Sequence, residues 1–323
     1  MFDLNKKKFY EHTSDFFSIN QIDTNYNPNA KKIQAVDDFL DKISSFKAHR
    51  KQAILEMIGY SMTTSINIQK VFILYGETAR NGKSTLSNVI TKLIGKNNIS
   101  NISLKDMTKN TFATFGIKGK LLNIGAEMTE TFLDDMSTFK MFSTGDNLSV
   151  EEKFKSRHTI SPYAKFIFIA NELPSVSDKT NAFYRRLHVI PLETTFTDKD
   201  SKNFNIKDIL CTDALEYLAK ISLDAYMSMD NVFSNYEESE KIIDKYKLES
   251  NSILSFIKDE ETIRDLTKEG KNITAKTVYN YYRDFCIANK YLYIGRNKFY
   301  SEIEKTGFIT PNYVNNQKHY LFK

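Results

Sequence analysis

The sequence predicts an α/β fold with a parallel or mostly parallel sheet, and two observations support this prediction. Four short, continuous apolar runs occur at residues 71–76, 121–126, 165–171 and 187–192. Strands that are buried on both faces show such unbroken runs, whereas half-exposed strands alternate. Helical patterns separate the runs, as the crossover connections of a parallel sheet require. We expect this α/β domain at residues 66–195.

Three mainly helical units flank the predicted sheet. Apolar residues recur at intervals of three and four between Ile33 and Ile58, which indicates amphipathic helices. The chain ends in further helical patterns and an apolar, aromatic segment from Lys318 to Phe322, so a helix-rich unit closed by a β-hairpin fits. The predicted units are an N-terminal helical domain at 1–65, a helical lid and connection at 196–250, and a C-terminal winged-helix-like domain at 251–323.

Composition excludes several classes of protein. With 323 residues and 41% apolar side chains, the chain has ample material for buried cores. No apolar run is long enough to cross a bilayer, and the N-terminus lacks the apolar region of a signal peptide, so we expect a cytoplasmic protein without a membrane partner. The two cysteines, Cys211 and Cys286, have no ligand-spaced partners, so we expect neither disulfides nor zinc and place both in the core.

The charge is mildly positive and unevenly distributed. The formal net charge is +5, which suits many cytosolic enzymes as well as nucleic-acid binders. Residues 251–323 contain 12 Lys or Arg against 8 Asp or Glu, so the last quarter of the chain holds most of the excess. The charge therefore permits a nucleic-acid partner without requiring one.

The segment GETARNGKST, Gly76 to Thr85, follows a predicted strand and precedes a predicted helix, which is the setting of a phosphate-binding P-loop. In such a loop the backbone N–H groups surround the phosphates, Lys83 reaches the β- and γ-phosphates, and the Ser84 hydroxyl binds Mg²⁺. Five residues separate Gly76 from Gly82, one more than the strict pattern allows, so the start of the loop stays open by one residue. The predicted nucleotide-binding residues are Gly76, Ala79, Asn81, Gly82, Lys83, Ser84 and Thr85.

A carboxylate follows the second apolar run, which ends in LLNIGAEM. We expect this strand beside the P-loop strand, where Glu127 would hold Mg²⁺ or polarise the attacking water. Glu130 lies three residues further on, and the division of labour between the two acids stays open. An ordinary surface glutamate after a buried strand is the plain alternative.

Two later segments supply the remaining candidate catalytic residues. The third run ends in Asn171, whose amide can orient a water molecule by donating one hydrogen bond and accepting another. Arg185 and Arg186 precede the fourth run, where an arginine can stabilise charge on the γ-phosphate of a neighbouring subunit's nucleotide. Which of the two arginines would act is open, and solvated surface arginines are an equal alternative.

The order and spacing of these segments resemble superfamily-3 helicases of the AAA+ class, especially the helicase part of phage, plasmid and poxvirus-type primase-helicases. The resemblance extends to the helices ending in EMIGYSM and to the tail from NSILSFIKD to KFYSEIEKTGF. It implies an AAA+ core that binds ATP and Mg²⁺, and a self-assembled, hexameric ring that moves 3′ to 5′ on DNA of a phage or other mobile element. The matching segments are YGETARNGKST, GKLLNIGAE, FKMFSTGDNLSVEEKFK, FIFIANELP and FYRRLHVIPL.

The resemblance also implies where DNA would bind. In the family a hairpin between the second and third of these strands grips the DNA backbone, and here it corresponds to residues 146–161. A winged helix would place basic side chains against duplex DNA. The candidate DNA-binding residues are Lys153, Lys155, Arg157 and His158 in the hairpin segment, and Lys276, Arg283, Lys290, Arg296 and Lys298 in the C-terminal domain.

Two other functions compete with an autonomous helicase. The chain has no room for the primase domain of many family members, so a separate primase or polymerase is an expected partner. An origin-binding initiator or helicase loader that uses ATP as an assembly switch fits the same motifs. A P-loop enzyme acting on a small molecule is the third possibility, and it needs neither the hairpin nor the basic tail.

Overall fold

The computed structural model of the protein divides into two compact units, residues 1–243 and 244–323. The domain boundaries predicted within these units stay predictions. The structure describes residues 2–3, 6, 8–11, 18–125, 136–151, 157–174, 176, 180–197, 205–268, 270–289, 291 and 293–322.

The first unit contains a five-stranded parallel sheet. All four apolar runs predicted as strands belong to it, which confirms the α/β prediction, and a short strand that was not predicted, β4, lies at one edge. The strand order is β4-β5-β8-β3-β9. The strands of this unit are β1 (Phe2–Asp3), β2 (Lys8–Phe9), β3 (Val71–Tyr75), β4 (Ile99–Ser100), β5 (Leu122–Gly125), β6 (Leu148–Glu151), β7 (Arg157–Ile160), β8 (Lys165–Ala170) and β9 (Leu187–Pro191).

The position of β5 differs from the prediction. We expected β5, the strand before Glu127, beside the P-loop strand β3, but β8 lies between them: Phe166 pairs with Val71 on one side and with Asn123 on the other. Two buried parallel strands carry the same kind of apolar run, so the run does not reveal which one pairs with β3. Because the strands are parallel, residues that follow β3, β5 and β8 still meet at one edge of the sheet.

Helices surround this sheet and share its core. Buried side chains of α1, α2, α3 and α9 belong to the same hydrophobic cluster as those of the strands. Gly59 lies inside α2 and permits close contact with α9, because a Cβ atom there would lie 2.1 Å from the Ser222 carbonyl oxygen. The helices of this unit are α1 (Gln34–Ile43), α2 (Ala48–Ser61), α3 (Lys83–Ile94), α4 (Leu104–Lys109), α5 (Thr111–Phe115), α6 (Ser137–Thr144), α7 (Asn181–Tyr184), α8 (Ile206–Leu210), α9 (Thr212–Ser228) and α10 (Tyr236–Ser250), the last of which extends beyond residue 243.

The second unit packs helices against a small antiparallel sheet of order β10-β12-β11. Tyr282, Phe299 and Tyr320 are fully buried at its centre. The predicted closing hairpin is confirmed and consists of β11 and β12. The elements are α11 (Ser252–Lys258), α12 (Glu260–Leu266), β10 (Asn272–Thr274), α13 (Ala275–Ala288), α14 (Arg296–Lys305), β11 (Ile309–Val314) and β12 (Gln317–Phe322).

The two cysteines have different environments. Cys286 is buried as predicted, but the prediction was wrong for Cys211, which is exposed. Cys211 lies in the turn between α8 and α9, where its Sγ contacts the Asp208 carbonyl oxygen at 3.4 Å. Within the part of the chain that the structure describes, no group of three or more His, Cys, Asp or Glu side chains could hold a metal ion. Among those same residues, no helix combines the length and apolar character needed to cross a bilayer.

Candidate functional site

The candidate site centres on the loop between β3 and α3, at the carboxyl edge of the sheet. β3 ends at Tyr75 and α3 begins at Lys83, so the N-terminus of α3 faces the loop. Gly82 directly before the helix has a φ of +81°, a left-handed conformation that favours glycine. A Cβ atom at this position would also lie 2.9 Å from the ring of Phe196. The strand, loop and helix are arranged as a phosphate-binding loop requires.

Asn81 determines the shape of this loop. Its side chain is 3% exposed, and its Nδ2 donates a 2.7 Å hydrogen bond to the Thr78 carbonyl oxygen. The same Nδ2 would lie 2.2 Å from a Cβ atom at Gly76, and the Leu192 carbonyl oxygen would lie 2.6 Å from it. Gly76 therefore has no room for a side chain. Ala79 is exposed.

Lys83 and Asn171 come together at this edge. The Lys83 side chain is 6% exposed, and its Nζ donates hydrogen bonds to the Gly76 carbonyl oxygen at 2.7 Å and to Asn171 Oδ1. The Ala170 carbonyl oxygen lies 3.3 Å from the same nitrogen. Asn171 directly follows β8, the neighbour of β3, so the sheet itself places the two side chains together. On the next residues of α3, Ser84 is exposed and Thr85 is half-buried.

These residues fit a nucleotide with its metal ion. A lysine amino group, exposed loop backbone and a helix N-terminus attract phosphate, and the exposed Ser84 hydroxyl is an oxygen ligand that suits Mg²⁺. Glu127 and Glu130, the predicted carboxylates, lie outside the described residues. The last described residue of their strand, Gly125, pairs with Phe168 of β8.

A segment that the sequence analysis overlooked lies over the loop. Phe196 contacts Gly82, and its backbone N–H donates a 2.7 Å hydrogen bond to the Arg80 carbonyl oxygen. Its only signal in the sequence is that it is an isolated aromatic residue in a polar stretch after the last strand. The structure therefore adds residues 193–196 to the surroundings of the loop.

Ion pairs attach this segment to α2. The Arg50 side chain is 1% exposed, and its guanidinium contacts both carboxylate oxygens of Glu238, at 2.6 and 2.7 Å, and Glu193 at 2.9 Å. Hydrogen bonding from Arg50 lowers the pKa of the Glu193 carboxyl below its usual range. Beside it, Thr194 donates a 2.8 Å hydrogen bond to the Ser45 hydroxyl. A buried, bidentate arginine is a rigid anchor for the chain that covers the loop.

The two candidate arginines lie at the amino-terminal ends of the strands, opposite the carboxyl ends where the loop lies. They precede Leu187, which pairs with Val71 at the start of β3, whereas the loop follows the end of β3. The length of β3, roughly 3.3 Å per residue, therefore separates both arginines from the loop of their own chain. Arg185 is exposed, whereas Arg186 is 7% exposed and its guanidinium donates to the Ala182 carbonyl oxygen.

The predicted DNA-binding hairpin begins and ends as antiparallel strands. β6 pairs with β7 over four residue pairs, from Leu148 with Ile160 to Glu151 with Arg157. The Arg157 side chain is 75% exposed and forms an ion pair with Glu151. His158 is half-buried, with its ring centroid 6.3 Å from that of Phe115. Lys153 and Lys155 lie outside the described residues.

The structure distributes the basic candidates of the second unit over two helices. Lys276 and Arg283 are exposed on α13, and Lys298 is exposed on α14. Arg283 forms a 2.9 Å ion pair with its neighbour Asp284. Arg296 of α14 lies over the ring of Tyr279, with its guanidinium carbon 5.5 Å from the centroid. Lys290 lies outside the described residues.

Fold and loop define an α/β protein with a glycine–lysine loop at the carboxyl edge of a parallel sheet. Part of the chain is similar to a protein named as a helicase: it is 31% identical over 134 residues to "Putative helicase 184R" from Invertebrate iridescent virus 6. This match covers 41% of the chain and 12% of the viral protein, so the chain spans a small part of its relative. The model of DUF5906, described as a family of unknown function, matches residues 74–186.

Solved structures with the same fold cover nearly the whole chain. The apo A form of the C-terminal region of NrS-1 superposes with a TM-score of 0.56 at 13% identity, over 92% of this chain and 76% of that one. The apo structure of NrS-1 residues 305–718 gives a TM-score of 0.55 at 14% identity, over 92% and 77%. At this identity the similarity shows a shared fold. Part of the chain is therefore similar to a putative viral helicase, and the chain shares its fold with the NrS-1 C-terminal region.

Proposed function

We propose that the protein is an ATP-dependent DNA helicase of the AAA+ superfamily-3 type that acts in replication of a phage or mobile element. The single observation that carries this proposal is the position of β8. Four residues separate the end of hairpin strand β7 from Lys165, where β8 begins, and β8 ends at Ala170, directly before Asn171. One buried strand thus connects the candidate DNA-binding hairpin with the side chain that contacts the P-loop lysine.

In this proposal the loop binds ATP with Mg²⁺. Lys83 would exchange its contacts with Gly76 and Asn171 for the β- and γ-phosphates, whose charge it would neutralise. Ser84 and Glu127 would hold the metal ion. Asn171, released from Lys83, orients the attacking water. Asn171 would therefore have different hydrogen-bond partners before and after ATP is hydrolysed. Strand β8 would transmit this change in hydrogen bonding to the hairpin.

Assembly into a ring follows from the position of the arginines. Arg185 is exposed and lies across the sheet from the loop of its own chain, so it serves a nucleotide bound by a neighbouring subunit. Arg186 is buried, which makes Arg185 the better candidate finger. A closed ring with the nucleotide between subunits, most simply a hexamer, places every loop opposite an arginine.

DNA would pass along the β6–β7 hairpins, which carry Lys153, Lys155, Arg157 and His158. Cationic tips neutralise phosphates without reading bases, which suits a motor that must move over any sequence. We propose 3′ to 5′ movement along one strand with displacement of the other. Priming would come from a separate primase or polymerase.

An origin-binding initiator or helicase loader is the second candidate function. The observation that favours it is the separate, positively charged second unit, which a motor on single strands does not need. In this alternative ATP drives assembly on duplex DNA, and the purified protein separates few base pairs by itself.

Strand displacement on a forked duplex distinguishes the two functions. Wild type is compared with Lys83→Ala at equal DNA occupancy, and with Lys92→Ala, which removes an exposed lysine from the same helix. The helicase proposal expects unwinding by wild type and Lys92→Ala and none by Lys83→Ala. If DNA stimulates ATP hydrolysis but no variant unwinds the fork, the result favours the initiator or loader. If DNA does not change the rate of ATP hydrolysis, the result excludes both the helicase and the initiator or loader.

A further inference from the structure

A buried lysine lies where the β6–β7 hairpin joins the sheet. We call residues 161–165, which lead from β7 into β8, the hairpin root. The last residue of the root, Lys165, is also the first residue of β8, and it is 3% exposed. Asn171, which contacts the loop lysine, directly follows the other end of the same strand. The strand thus has a buried cation at one end and the candidate nucleotide site at the other.

Carbonyl oxygens and an aromatic ring surround the ammonium group of Lys165. It donates hydrogen bonds to the carbonyl oxygens of Thr63 and, at 3.2 Å, of Tyr163. It also lies 4.9 Å from the ring centroid of Tyr60, whose hydroxyl donates a 2.8 Å hydrogen bond to the Ile68 carbonyl oxygen. Burial lowers the pKa of Lys165 to about 7. Because a buried ammonium group that contacts no carboxylate costs free energy, a lysine at this position needs a reason other than stability.

The connection between α2 and β3, residues 62–70, contacts both ends of the hairpin. After β7, its residue Thr63 accepts the hydrogen bond from the buried lysine. Before β6, Gly145 has a φ of +72° and fits closely against the same connection. A Cβ atom at Gly145 would lie 2.4 Å from Ile66 Cδ1 and 3.1 Å from the Pro162 carbonyl oxygen. The hairpin is therefore held at both ends by the chain that leads into β3.

The side chain of Tyr163 attaches the hairpin root to the sheet a second time. Its hydroxyl donates a 2.7 Å hydrogen bond to Asn20 Oδ1. Asn20 Nδ2 in turn donates to the Gly119 carbonyl oxygen at 2.8 Å and to Asn98 Oδ1 at 3.0 Å. Asn98 directly precedes β4, and Gly119 precedes β5 by three residues. The root is thus connected to the amino ends of two further strands.

We propose that Lys165 is a positioning residue that fixes the β6–β7 hairpin relative to the sheet, so that a change at Asn171 moves the hairpin with β8. This inference rests on the proposed function for the task of the hairpin, and it adds the residue through which β8 would act. Four residues separate β7 from β8, and each has two soft backbone dihedral angles. An unrestrained link of this length would absorb a small displacement of the strand.

A lysine suits this task because its long side chain ends in several N–H donors. One ammonium group bonds to the root at Tyr163 and to the α2–β3 connection at Thr63, so it cross-links two segments that do not pair as strands. Methionine is similarly long and fills similar space, but it makes neither hydrogen bond. Replacing Lys165 by methionine therefore removes the cross-link and keeps the packing.

The variant Lys165→Met separates positioning from stability. We expect a small change in the midpoint of urea unfolding, because the two carbonyl groups lose a donor but a charge is no longer buried. Amide hydrogen exchange in β6 and β7 of the full-length protein should become about tenfold faster, with no change in β3 and β9. Lys120→Met is the matched control: this half-buried lysine precedes β5, and its Nζ donates to the Asn97 carbonyl oxygen at 2.6 Å. It should change the exchange of neither hairpin strand.

Stimulation of ATP hydrolysis by DNA is the functional measurement. Lys165→Met should lower the ratio of the rates with and without DNA about tenfold. The salt dependence of DNA binding should stay the same, because the cations of the hairpin remain. A lysine that only stabilised the fold would not separate these two properties. Tyr163→Phe removes only the hydroxyl that bonds to Asn20 and should act in the same direction, and it provides the test if Lys165→Met does not fold.

Two results would overturn the inference. One is unchanged hydrogen exchange in β6 and β7 of both root variants. The other is unchanged stimulation in both variants while DNA stimulates the wild type. If DNA neither stimulates the wild type nor is unwound by it, the proposed function has failed. Faster exchange confined to β6 and β7 would still support the positioning role of Lys165 in that case, so the two failures are distinguishable.

Discussion

The Lys83 amino group donates a hydrogen bond to the side-chain oxygen of Asn171, and this contact joins the glycine–lysine loop to the neighbouring strand β8. The Gly76 carbonyl oxygen, 2.7 Å away, is a second acceptor for the same nitrogen. A phosphate that enters the loop competes with both oxygens for Lys83. In the proposed function, nucleotide binding would therefore change the environment of Asn171.

We expect Asn171→Ala to separate nucleotide binding from hydrolysis. Loss of the amide removes a competitor for Lys83, so ATP affinity should stay the same or increase, while kcat should fall on the order of a hundredfold because the attacking water loses its orienting group. Equilibrium binding of a fluorescent ATP analogue and steady-state ATPase measurements check the two parts. Asn88→Ala, at an exposed position of α3, is the matched control. Parallel loss of affinity and kcat would contradict the proposed role.

The two adjacent arginines should respond differently to the same substitution. Arg185→Ala is expected to lower the ATPase rate about a thousandfold with little change in stability, because the side chain is exposed and, in the proposed function, acts on the nucleotide of a neighbouring subunit. Arg186→Ala is expected to cost about 1–3 kcal/mol of unfolding free energy, because the buried guanidinium donates to the Ala182 carbonyl oxygen. Urea unfolding and ATPase assays of both variants provide the comparison.

Mixing inactive subunits tests whether Arg185 acts across an interface. Arg185→Ala subunits keep a normal loop, and Lys83→Ala subunits keep a normal Arg185, so mixed assemblies contain some complete sites. We expect the mixture to recover ATPase activity that neither variant has alone. A mixture without activity, under conditions in which wild-type subunits assemble, would show that Arg185 does not serve a neighbour.

The strands were predictable because parallel strands are buried on both faces, and the loop because a glycine–lysine pair followed a strand. The order of the strands was not predictable. β5 and β8 carry similar apolar runs, and the tertiary packing that inserts β8 between β5 and β3 leaves no local signal. The short strand β4, two residues long, falls below the length at which an apolar pattern can be recognised.

Within the candidate site, the positions of side chains that follow predicted strands were predictable, whereas the burial of side chains was not. Lys83 and Asn171 follow from their positions after predicted strands. Arg185 and Arg186 are chemically identical neighbours, and only the turn at α7 decides that Arg186 points inwards. Phe196 gave almost no signal, because its contact with Gly82 depends on the path of the chain after β9.

The stability of edge strand β9 should depend on two side chains, Asn235 directly before α10 and Ser239 in the first turn of that helix. Val189 donates its N–H to the Ser239 hydroxyl at 2.8 Å, and its carbonyl oxygen accepts a 3.0 Å hydrogen bond from Asn235. Ser239→Ala leaves a buried N–H group without this acceptor, so we expect a loss of about 1–3 kcal/mol of unfolding free energy. Urea unfolding measures the loss, with Ser149→Ala at an exposed strand position as the control. Equal stability of both variants would mean that water replaces the serine hydroxyl.

His188 should make stability depend on pH. The ring packs against those of Phe72 and Phe233, and its Nε2 is 2.6 Å from Asn235 Oδ1. Burial lowers the pKa of His188 to about 3, compared with about 6.5 for an unfolded histidine. Between these two values the unfolded chain binds one proton more than the folded chain, so the unfolding free energy falls as pH falls. The largest slope from this group is about 1.4 kcal/mol per pH unit.

The test compares the pH dependence of unfolding between pH 5 and 6. His188→Gln removes the titrating ring and should give a smaller slope than wild type, whatever its stability at pH 7. Phe233→Leu is the matched control: it removes a ring that contacts His188 and lowers stability, yet it retains the titrating group and should keep the wild-type slope. Carboxylates affect the pH dependence of unfolding at lower pH and do not obscure this window. In Glu238, for example, burial raises the pKa, but hydrogen bonding and charge interaction with Arg50 outweigh burial and lower the pKa to about 2. Equal slopes for wild type and His188→Gln would mean that His188 becomes charged in the folded protein, which requires a local opening of the chain around β9 and α10.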